Sequence, residues 1–449
     1  MLRVALLYIE RVFPQLGGVV ARGAILSVGL VGLGTIVGYL TQIFMSRTLG
    51  ASEFGTYTYV LGLLGIVRTV ASLSLESAAQ RFVGIYAAAG NKPGIQGFLR
   101  TSRRATVVVS LLGTAVCLAL LYMMHDRLPA HLPMALLAGC ILLLPTTLLV
   151  LEGAFLQALS RVYEYRIPFM FVRPLVIVGA VFAAVHYFGS AGSAVLALNA
   201  NLAGVVIALA MSFFFTRSLI PASIPASTPS DQKRLWTIFC AANLGQNILY
   251  LVLSQQSDVV VVGSLIGTTN AGYYSAANQV SSLILLGVMT VNQYIAPRLA
   301  GHEVSRSDTR LPALVWRALL LNAAVSIPMT VATVVLGRFM LSLFGPSFVD
   351  AYPVLLVLSA GCVVSSLWAN LWGDLLTLRG LYKESTVVIV VASVLNLALS
   401  LLLTPRYGMM GAAMATTTAM MVRGVMLAII VNHKFGFWPW TVRRRAADS

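Results

Sequence analysis

The chain has 449 residues, of which 58% are hydrophobic and only 10% are charged, and its mean hydropathy is +0.88. Soluble domains are about half apolar and a quarter charged, so this composition excludes a soluble protein and indicates a polytopic membrane protein. A net charge of +16 would suggest nucleic-acid binding in a soluble chain; here it is better explained by basic loops on one side of a membrane, and we expect no nucleic-acid partner.

The N-terminal segment, residues 1–22, starts with a short apolar run that Glu10 and Arg11 interrupt. This run is too short for the core of a signal peptide. We expect an amphipathic helix that leads into the first span and lies on the cytoplasmic surface.

Twelve stretches meet the requirement of about 20 apolar residues for a membrane span. They are residues 23–46, 54–78, 105–124, 133–158, 168–188, 191–215, 236–262, 272–296, 314–336, 352–377, 385–404 and 408–432. A cytoplasmic linker over residues 220–235, rich in Pro and Ser at its start, divides them six plus six. The sequence therefore predicts an all-α protein with one six-helix lobe over residues 23–219, a second over 236–432, and a basic cytoplasmic tail over 433–449.

Basic residues are distributed unequally between the two sides of these spans. With the N-terminus assigned to the cytoplasm, 22 of the 30 Lys and Arg residues lie in cytoplasmic segments. The opposite side has Arg47, Arg127, Arg338 and Arg406. The positive-inside rule therefore predicts that both termini are cytoplasmic.

The two halves repeat a set of residues at an offset of 217 positions. The set Gly50, Gly55, Tyr57 and Arg81 recurs as Gly267, Gly272, Tyr274 and Arg298. Because six is an even number, both halves enter the membrane in the same direction. The repeat is therefore parallel, with its axis along the membrane normal.

The predicted seventh span has polar residues at helical spacing. Asn243, Asn247, Tyr250, Ser254 and Asp258 follow one another in steps of four, three, four and four residues, so they share one helical face. The first, second and eighth spans also have polar stripes, whereas the fifth, sixth and eleventh are nearly featureless. The principal members of those three stripes are Tyr39, Gln42, Arg68 and Asn278. Interhelical hydrogen bonding explains a single Ser or Thr, but four such stripes indicate a hydrophilic cavity between the halves.

Charged residues inside spans are the main functional candidates. Inserting one charged side chain at bilayer depth costs about 2.5–3.5 kcal/mol, so each is expected to have a charged partner or a functional role. Arg68, nearly mid-span, is the strongest candidate for contact with an anion. Arg173 lies near a cytoplasmic end, where snorkelling is at least as good an explanation. The acidic candidates for coupling to H⁺ or Na⁺ are Glu76, Glu152, Asp258 and Asp374. For Glu152 and Asp374, structural pairing with an arginine explains the residue equally well.

Several classes of protein are disfavoured by the motifs that the sequence lacks. There is no GxxxxGK[ST] loop for a primary pump and no HExxH or cysteine cluster for a metal site, so we expect no cofactor and no metal. Loops of at most about 25 residues are too short for a catalytic domain. We therefore do not expect an enzyme.

Seven runs, spread over the chain, together resemble one known family. They are Ser46–Tyr57, Ser254–Asp258, Ala271–Ala277, Ala296–Arg298, Leu343–Pro346, Pro405–Gly408 and Gly411–Ala413. In these runs the chain resembles the polysaccharide and lipid-linked oligosaccharide flippases of the multidrug, oligosaccharidyl-lipid and polysaccharide exporter superfamily. One departure is that Val259 follows Asp258, where the family often has a basic residue.

This resemblance implies two six-helix lobes in a V and alternating access. The implied substrate is an isoprenoid (undecaprenyl) pyrophosphate-linked oligosaccharide, moved from the inner to the outer leaflet of a bacterial inner membrane, with a polysaccharide polymerase as a possible partner. Arg68, Arg81 and Arg298 would bind the pyrophosphate. The sugars would contact Tyr39, Gln42, Asn243, Asn247 and Asn278. The alternative is a cation-coupled multidrug exporter of the same superfamily, for which Glu76 and Asp258 would supply an acidic cavity.

Overall fold

The computed structural model describes residues 18–435, apart from 188, 190–191, 222, 225–229, 254, 301–309 and 379–380. Every regular element in this part of the chain is helical. Most of the predicted lead-in over residues 1–22 and of the basic tail over 433–449 lies outside the described residues.

The described residues of the N-terminal half form eight α-helices. They are α1 Gly18–Ala71, α2 Leu75–Ala78, α3 Gly84–Ala88, α4 Lys92–Met124, α5 Leu132–Ala158, α6 Val162–Ile167, α7 Arg173–Tyr187 and α8 Ala194–Leu219. π-helical turns at Ala79–Val83 and Pro168–Val172 join α2 to α3 and α6 to α7, so each pair forms one longer, irregular helix.

The described part of the C-terminal half also has eight α-helices. They are α9 Ser230–Leu253, α10 Gln255–Ile266, α11 Thr268–Ala300, α12 Arg310–Phe344, α13 Tyr352–Val364, α14 Asn370–Leu378, α15 Tyr382–Tyr407 and α16 Met409–Phe435. A 3-10 turn at Pro346–Ala351 leads into α13, and a π-helical turn at Ser365–Ala369 connects α13 to α14.

Ten helices in the described residues are long and apolar enough to cross a membrane. This finding supports a multi-pass membrane protein, and the number twelve stays a prediction. Two differences account for the gap. Helix α1 contains the first predicted span and most of the second, on either side of the non-helical Gly50 (φ 76°, ψ 171°). Helix α11 covers the predicted eighth span but is not among the ten.

Two pairs of glycines, one member in each half, have related backbone conformations. Gly50 and Gly267 have φ values of 76° and 98°, and Gly189 and Gly408 both have φ 60°. Residues with a Cβ rarely adopt positive φ, whereas glycine does so at no steric cost. Each pair therefore makes a sharp turn at an equivalent place in the two halves.

Most helices pack within their own half. In the N-terminal half α5 packs against α4 and α8, and in the C-terminal half α16 packs against α13 and α15. Helix α1 is the main exception, because it also contacts α9, α10, α11 and α12 of the other half. The surfaces between the two lobes, and the functional candidates beside them, are therefore organised around α1.

Candidate functional site

The two lobes are packed together on the side of the protein that carries Gly50, which we call the closed face. Here α1 crosses α11 at two glycines: a Cβ on Gly272 would lie 2.9 Å from the Cα of Gly55, closer than real side chains come. Nearby, the hydroxyl groups of Tyr59 and Ser264 are 3.1 Å apart. The backbones of the two lobes therefore approach directly at this crossing.

Arg47 joins the lobes on the closed face. Its Nε donates to the carbonyl oxygen of Leu343 (2.6 Å) and its Nη2 to that of Ser342 (3.2 Å). These carbonyls belong to the last turn of α12, where unpaired carbonyl groups and the helix dipole favour a cation. The neighbouring Ser46 hydroxyl donates to the carbonyl oxygen of Phe344 (2.9 Å).

An aromatic cluster lies directly beneath these contacts. Phe54 of α1 packs against Phe344 and Phe348, with ring centroids 6.4 and 5.8 Å apart. Tyr39 meets Phe344 edge to face at 5.5 Å. Tyr39 thus lies between the aromatic cluster and the polar residues of α1 that are farther from the closed face.

Four of the predicted cavity residues share one property. Each is half-buried and has an enclosed polar atom that finds no hydrogen-bond partner in the part of the chain that the structure describes. The atoms are Tyr39 Oη, Gln42 Oε1, Arg68 Nη1 and Asn278 Oδ1. Buried polar atoms in native proteins are almost always paired, so these four are available to water or to a ligand.

Arg68 lies in the last turn of α1, in a positively charged environment. Its Nη1 is 3.9 Å from Glu76 Oε1, which is an ion pair but longer than a hydrogen bond. Arg173 lies within electrostatic range of Arg68, and its Nε donates to the buried Asn201 Oδ1 (3.1 Å). The structure therefore gives Arg173 an interior hydrogen bond and a second positive charge near Arg68, which snorkelling does not explain.

On the opposite face, α9 contacts the segment that follows α1. The Asn247 amide donates to the Ser74 hydroxyl (3.0 Å), whereas the Asn243 amide donates to the carbonyl of Phe239 in its own helix (2.9 Å). Leu73 and Ser74 have φ values of 49° and 56°, a conformation that costs L-residues about 1–2 kcal/mol each. Asn247 thus binds the strained break between α1 and α2.

The entrance beside this contact carries the predicted Arg81. Its side chain is exposed, and its guanidinium lies 4.8 Å from the ring centroid of Phe239. Trp236 Nε1 donates to the Tyr86 hydroxyl nearby (3.1 Å). The first part of α1, in contrast, leaves Leu33 more than half exposed. Contact between the lobes on this face is therefore made by α9.

Glu152 forms a buried pair with Arg103. Its carboxylate oxygens are 2.5 Å from Nε and 2.8 Å from Nη2 of the guanidinium, and the residue is 1% exposed. Arg103 also lies 4.7 Å from the ring centroid of Phe213. Because both carboxylate oxygens of Glu152 accept hydrogen bonds from Arg103 within one lobe, they are not available to a transported ion. Glu152 was predicted either to couple to an ion or to pair with an arginine, and the geometry supports the structural pairing.

Asp258 lies inside the C-terminal lobe rather than between the lobes. The residue is 1% exposed, and its carboxylate accepts hydrogen bonds from Thr416 (2.5 Å), Tyr274 (3.1 Å) and Asn396 (3.3 Å). The expectation that Asp258 supplies an acidic central cavity is therefore corrected: its carboxylate faces α11, α15 and α16 of its own lobe.

The residues of the predicted polar face of the seventh span do not share one surface. The Asn247 amide, on α9, donates to Ser74 of the N-terminal lobe. Asp258, on α10, accepts hydrogen bonds from residues of its own lobe. The two side chains therefore have different surroundings.

The side chains of two predicted site residues, Arg298 and Asp374, lie outside the described part of the chain. Two other residues of the site were missed. Arg47 lies in a run that marks the family, but its predicted position between two spans gave no hint of its partners. Asn396 lies in the eleventh span, which was expected to be nearly featureless. Its spacing could have revealed it, because four buried polar residues of this span follow one another in steps of three, four and four: Ser393, Asn396, Ser400 and Thr404.

Residues 20–301 match the family described as "Polysaccharide biosynthesis protein", which is more than half of the chain. The chain belongs to this family. The polysaccharide biosynthesis protein is also similar to the "Probable low-salt glycan biosynthesis flippase Agl15" of Haloferax volcanii, with 24% identity over 412 residues, 89% of this chain and 81% of that relative.

Solved structures share the fold of this polysaccharide biosynthesis protein. An inward-facing MATE multidrug transporter of the MOP superfamily matches with a TM-score of 0.71 and 11% identity, covering 94% of this chain and 99% of that one. The lipid II flippase MurJ, in an inward closed conformation, matches with a TM-score of 0.69 and 14% identity, covering 94% and 91%. The fold that these structures share confirms the predicted all-α architecture of the exporter type.

Proposed function

We propose that this polysaccharide biosynthesis protein is a flippase that moves an oligosaccharide linked to an isoprenoid (undecaprenyl) pyrophosphate from the inner to the outer leaflet of a bacterial inner membrane. The observation that carries the proposal is a set of enclosed polar atoms that make no hydrogen bond among the described residues. They belong to Tyr39, Gln42, Arg68 and Asn278, and the two lobes that carry them are packed together on one face. Such atoms suit a polar substrate admitted from the other face. The family and the flippase activity in the relative's printed name support the same class.

The head group would bind around Arg68. A pyrophosphate carries several negative charges, and a planar guanidinium binds phosphate oxygens with two parallel hydrogen bonds. Arg68 has an enclosed Nη1 that forms a long ion pair with Glu76 (3.9 Å) but no hydrogen bond among the described residues, and the nearby Arg173 adds to the local positive potential. Arg81 would attract the substrate at the entrance, and Arg298 occupies the equivalent position of the repeat.

The sugars would bind to amides and hydroxyls on the facing helices. Tyr39 and Gln42 of α1 and Asn278 of α11 have unpaired polar atoms for this purpose. Asn243 and Asn247 lie on α9, nearer the entrance. The isoprenoid chain stays in the bilayer while the polar head crosses between the lobes, so the protein does not have to accommodate the whole lipid.

The excess of basic residues supports an orientation with both termini in the cytoplasm. In this orientation the closed face, with Arg47, is the outer one, and the described conformation receives substrate from the cytoplasmic side. A polymerase that consumes the flipped sugar outside would pull transport forward.

The driving ion, H⁺ or Na⁺, would bind at Asp258. This carboxylate has three hydroxyl or amide neighbours, and the enclosed Asn396 Oδ1 beside it has no partner among the described residues. An amide oxygen, a hydroxyl and one carboxylate suit a monovalent cation. Glu76 is the second candidate because it lies beside Arg68, and Asp374 stays a prediction; the pairing of Glu152 with Arg103 favours a structural role for Glu152.

A cation-coupled multidrug exporter is the alternative of the same superfamily. A cationic drug would need unpaired carboxylates between the lobes. Glu76 is paired with Arg68 at 3.9 Å and Asp258 is enclosed within its lobe, so the described residues favour an anionic substrate.

The test is complementation of a deletion strain, with surface polysaccharide measured at equal protein level. We expect Arg68→Ala to reduce export at least tenfold and Arg68→Lys to retain part of it, because lysine keeps the charge but not the bidentate geometry. Arg317→Ala is the matched control, since Arg317 is a membrane arginine with an exposed side chain. Unchanged export in Arg68→Ala would remove Arg68 from the site, and drug sensitivity without a polysaccharide defect would favour the alternative.

A further inference from the structure

The N-terminal lobe contains an apolar pocket between α1, α4 and α5. Its volume is about 320 Å³, and none of its lining residues is charged. Tyr59, Leu64, Cys117, Leu136 and Cys140 are among the residues that line it. The pocket is separate from Arg68 and from the other proposed substrate contacts, so nothing in the transport mechanism above uses it.

The pocket lies at a defined depth in the membrane. Along α5 its lining runs from Leu136 to Leu143, four to eleven residues after the helix begins at Leu132, which is about 6–16 Å from the closed-face end. One leaflet of the hydrocarbon core is about 15 Å thick. The pocket therefore lies in the leaflet next to the closed face, with Leu120 and Met124 of its rim 53% and 48% exposed.

We propose that this pocket binds an acyl chain of a membrane phospholipid. At this depth the medium around the protein is hydrocarbon, and an opening with an apolar lining and no charged group would take up a chain rather than a head group or a sugar. The phospholipids of this leaflet are the resident source of such chains. The isoprenoid of the substrate starts in the other leaflet, because the lobes are packed together on the closed face.

The bound chain stabilises the contact between the lobes through Tyr59. One side of the Tyr59 side chain lines the pocket, its ring lies against Gly263, and its hydroxyl is 3.1 Å from that of Ser264 in the C-terminal lobe. A chain beside the ring keeps Tyr59 in this position. Since the lobes separate here when the closed face opens, the lipid binds the closed conformation better and shifts the population toward it.

The test uses the full-length protein in vesicles that contain a phospholipid with a photoreactive group in the middle of one acyl chain. After illumination, peptide mass spectrometry locates the adducts. We expect them to concentrate on the pocket-lining parts of α4 and α5. Cys117→Phe fills the pocket and should reduce this labelling at least tenfold, whereas Leu118→Phe, the next residue on α4 and 38% exposed outside the pocket, should leave it unchanged.

Two further measurements keep the result decisive. Cys140→Met, a milder filling of the same pocket, should also reduce labelling if Cys117→Phe is too poorly folded to purify. Excess unlabelled phospholipid should compete with the probe in the wild-type protein. Adducts spread evenly over exposed α4 positions such as Leu112, or labelling by a photoreactive polyisoprenyl phosphate but not by the phospholipid, would overturn the proposal.

Discussion

Removing the guanidinium of Arg47 tests how the closed face is held together. In Arg47→Ala the carbonyl oxygens of Leu343 and Ser342, 2.6 and 3.2 Å from the guanidinium in the native protein, lose their charged donors. A hydrogen bond to a charged group contributes about 1.5–3 kcal/mol, but Arg47 is exposed and solvent screens the interaction. We therefore expect the two contacts together to stabilise the closed face by about 1–2 kcal/mol, which is a roughly 5- to 30-fold change in population.

The assay is the distribution of distances between spin labels on the two lobes. Labels at the exposed positions His131 and Ser347, in a background without native cysteines, report separation on the closed face. Arg47→Ala should populate longer distances, and Arg47→Lys should lie between it and the wild type. Arg127→Ala, an exposed arginine on the same face, is the control. A distribution in Arg47→Ala identical to that of the wild type would refute the reasoning.

Three further substitutions give distinct expectations. Glu152→Gln leaves the partly buried Arg103 guanidinium without its charged partner, which costs about 1.5–3 kcal/mol, so the melting temperature in detergent should fall; an unchanged value would contradict the ion pair. Gly272→Val places a side chain where two backbones meet, so the spin-label distance across the closed face should lengthen, and failure to lengthen would contradict the crossing. Asn247→Ala removes a bond to Ser74 worth about 0.6 kcal/mol, so stability should hardly change while transport falls at least threefold; normal transport would remove Asn247 from the sugar site.

The helical architecture could be predicted because it follows from local rules. Long apolar runs become membrane helices, and an offset of 217 residues brings Gly50 and Gly267 to equivalent positive-φ turns. The polar atoms of Tyr39 and Gln42 could be anticipated for the same reason, since their spacing puts them on one face of a straight helix.

The rest depends on contacts between residues far apart in the sequence. The partner of Glu152 is 49 positions away, and those of Arg47 are 295 and 296 positions away, so no local pattern shows them. The partners of the Asp258 carboxylate are 16, 138 and 158 positions away, so helical spacing alone could not show that it faces its own lobe. Periodicity also assumes a regular helix, and the π-helical turns at Ala79–Val83 and Pro168–Val172 depart from that assumption.

Translocation by the purified protein tests the central claim most directly. Vesicles would carry the protein and a fluorescent oligosaccharide on an isoprenoid pyrophosphate, and access of a membrane-impermeant sugar-modifying enzyme would report which leaflet holds the sugar. The account predicts movement of the lipid-linked sugar by the wild type and by Arg317→Ala, and at least tenfold slower movement by Arg68→Ala. Equal rates in vesicles with Arg68→Ala and the wild type, or in vesicles with and without the protein, would contradict it.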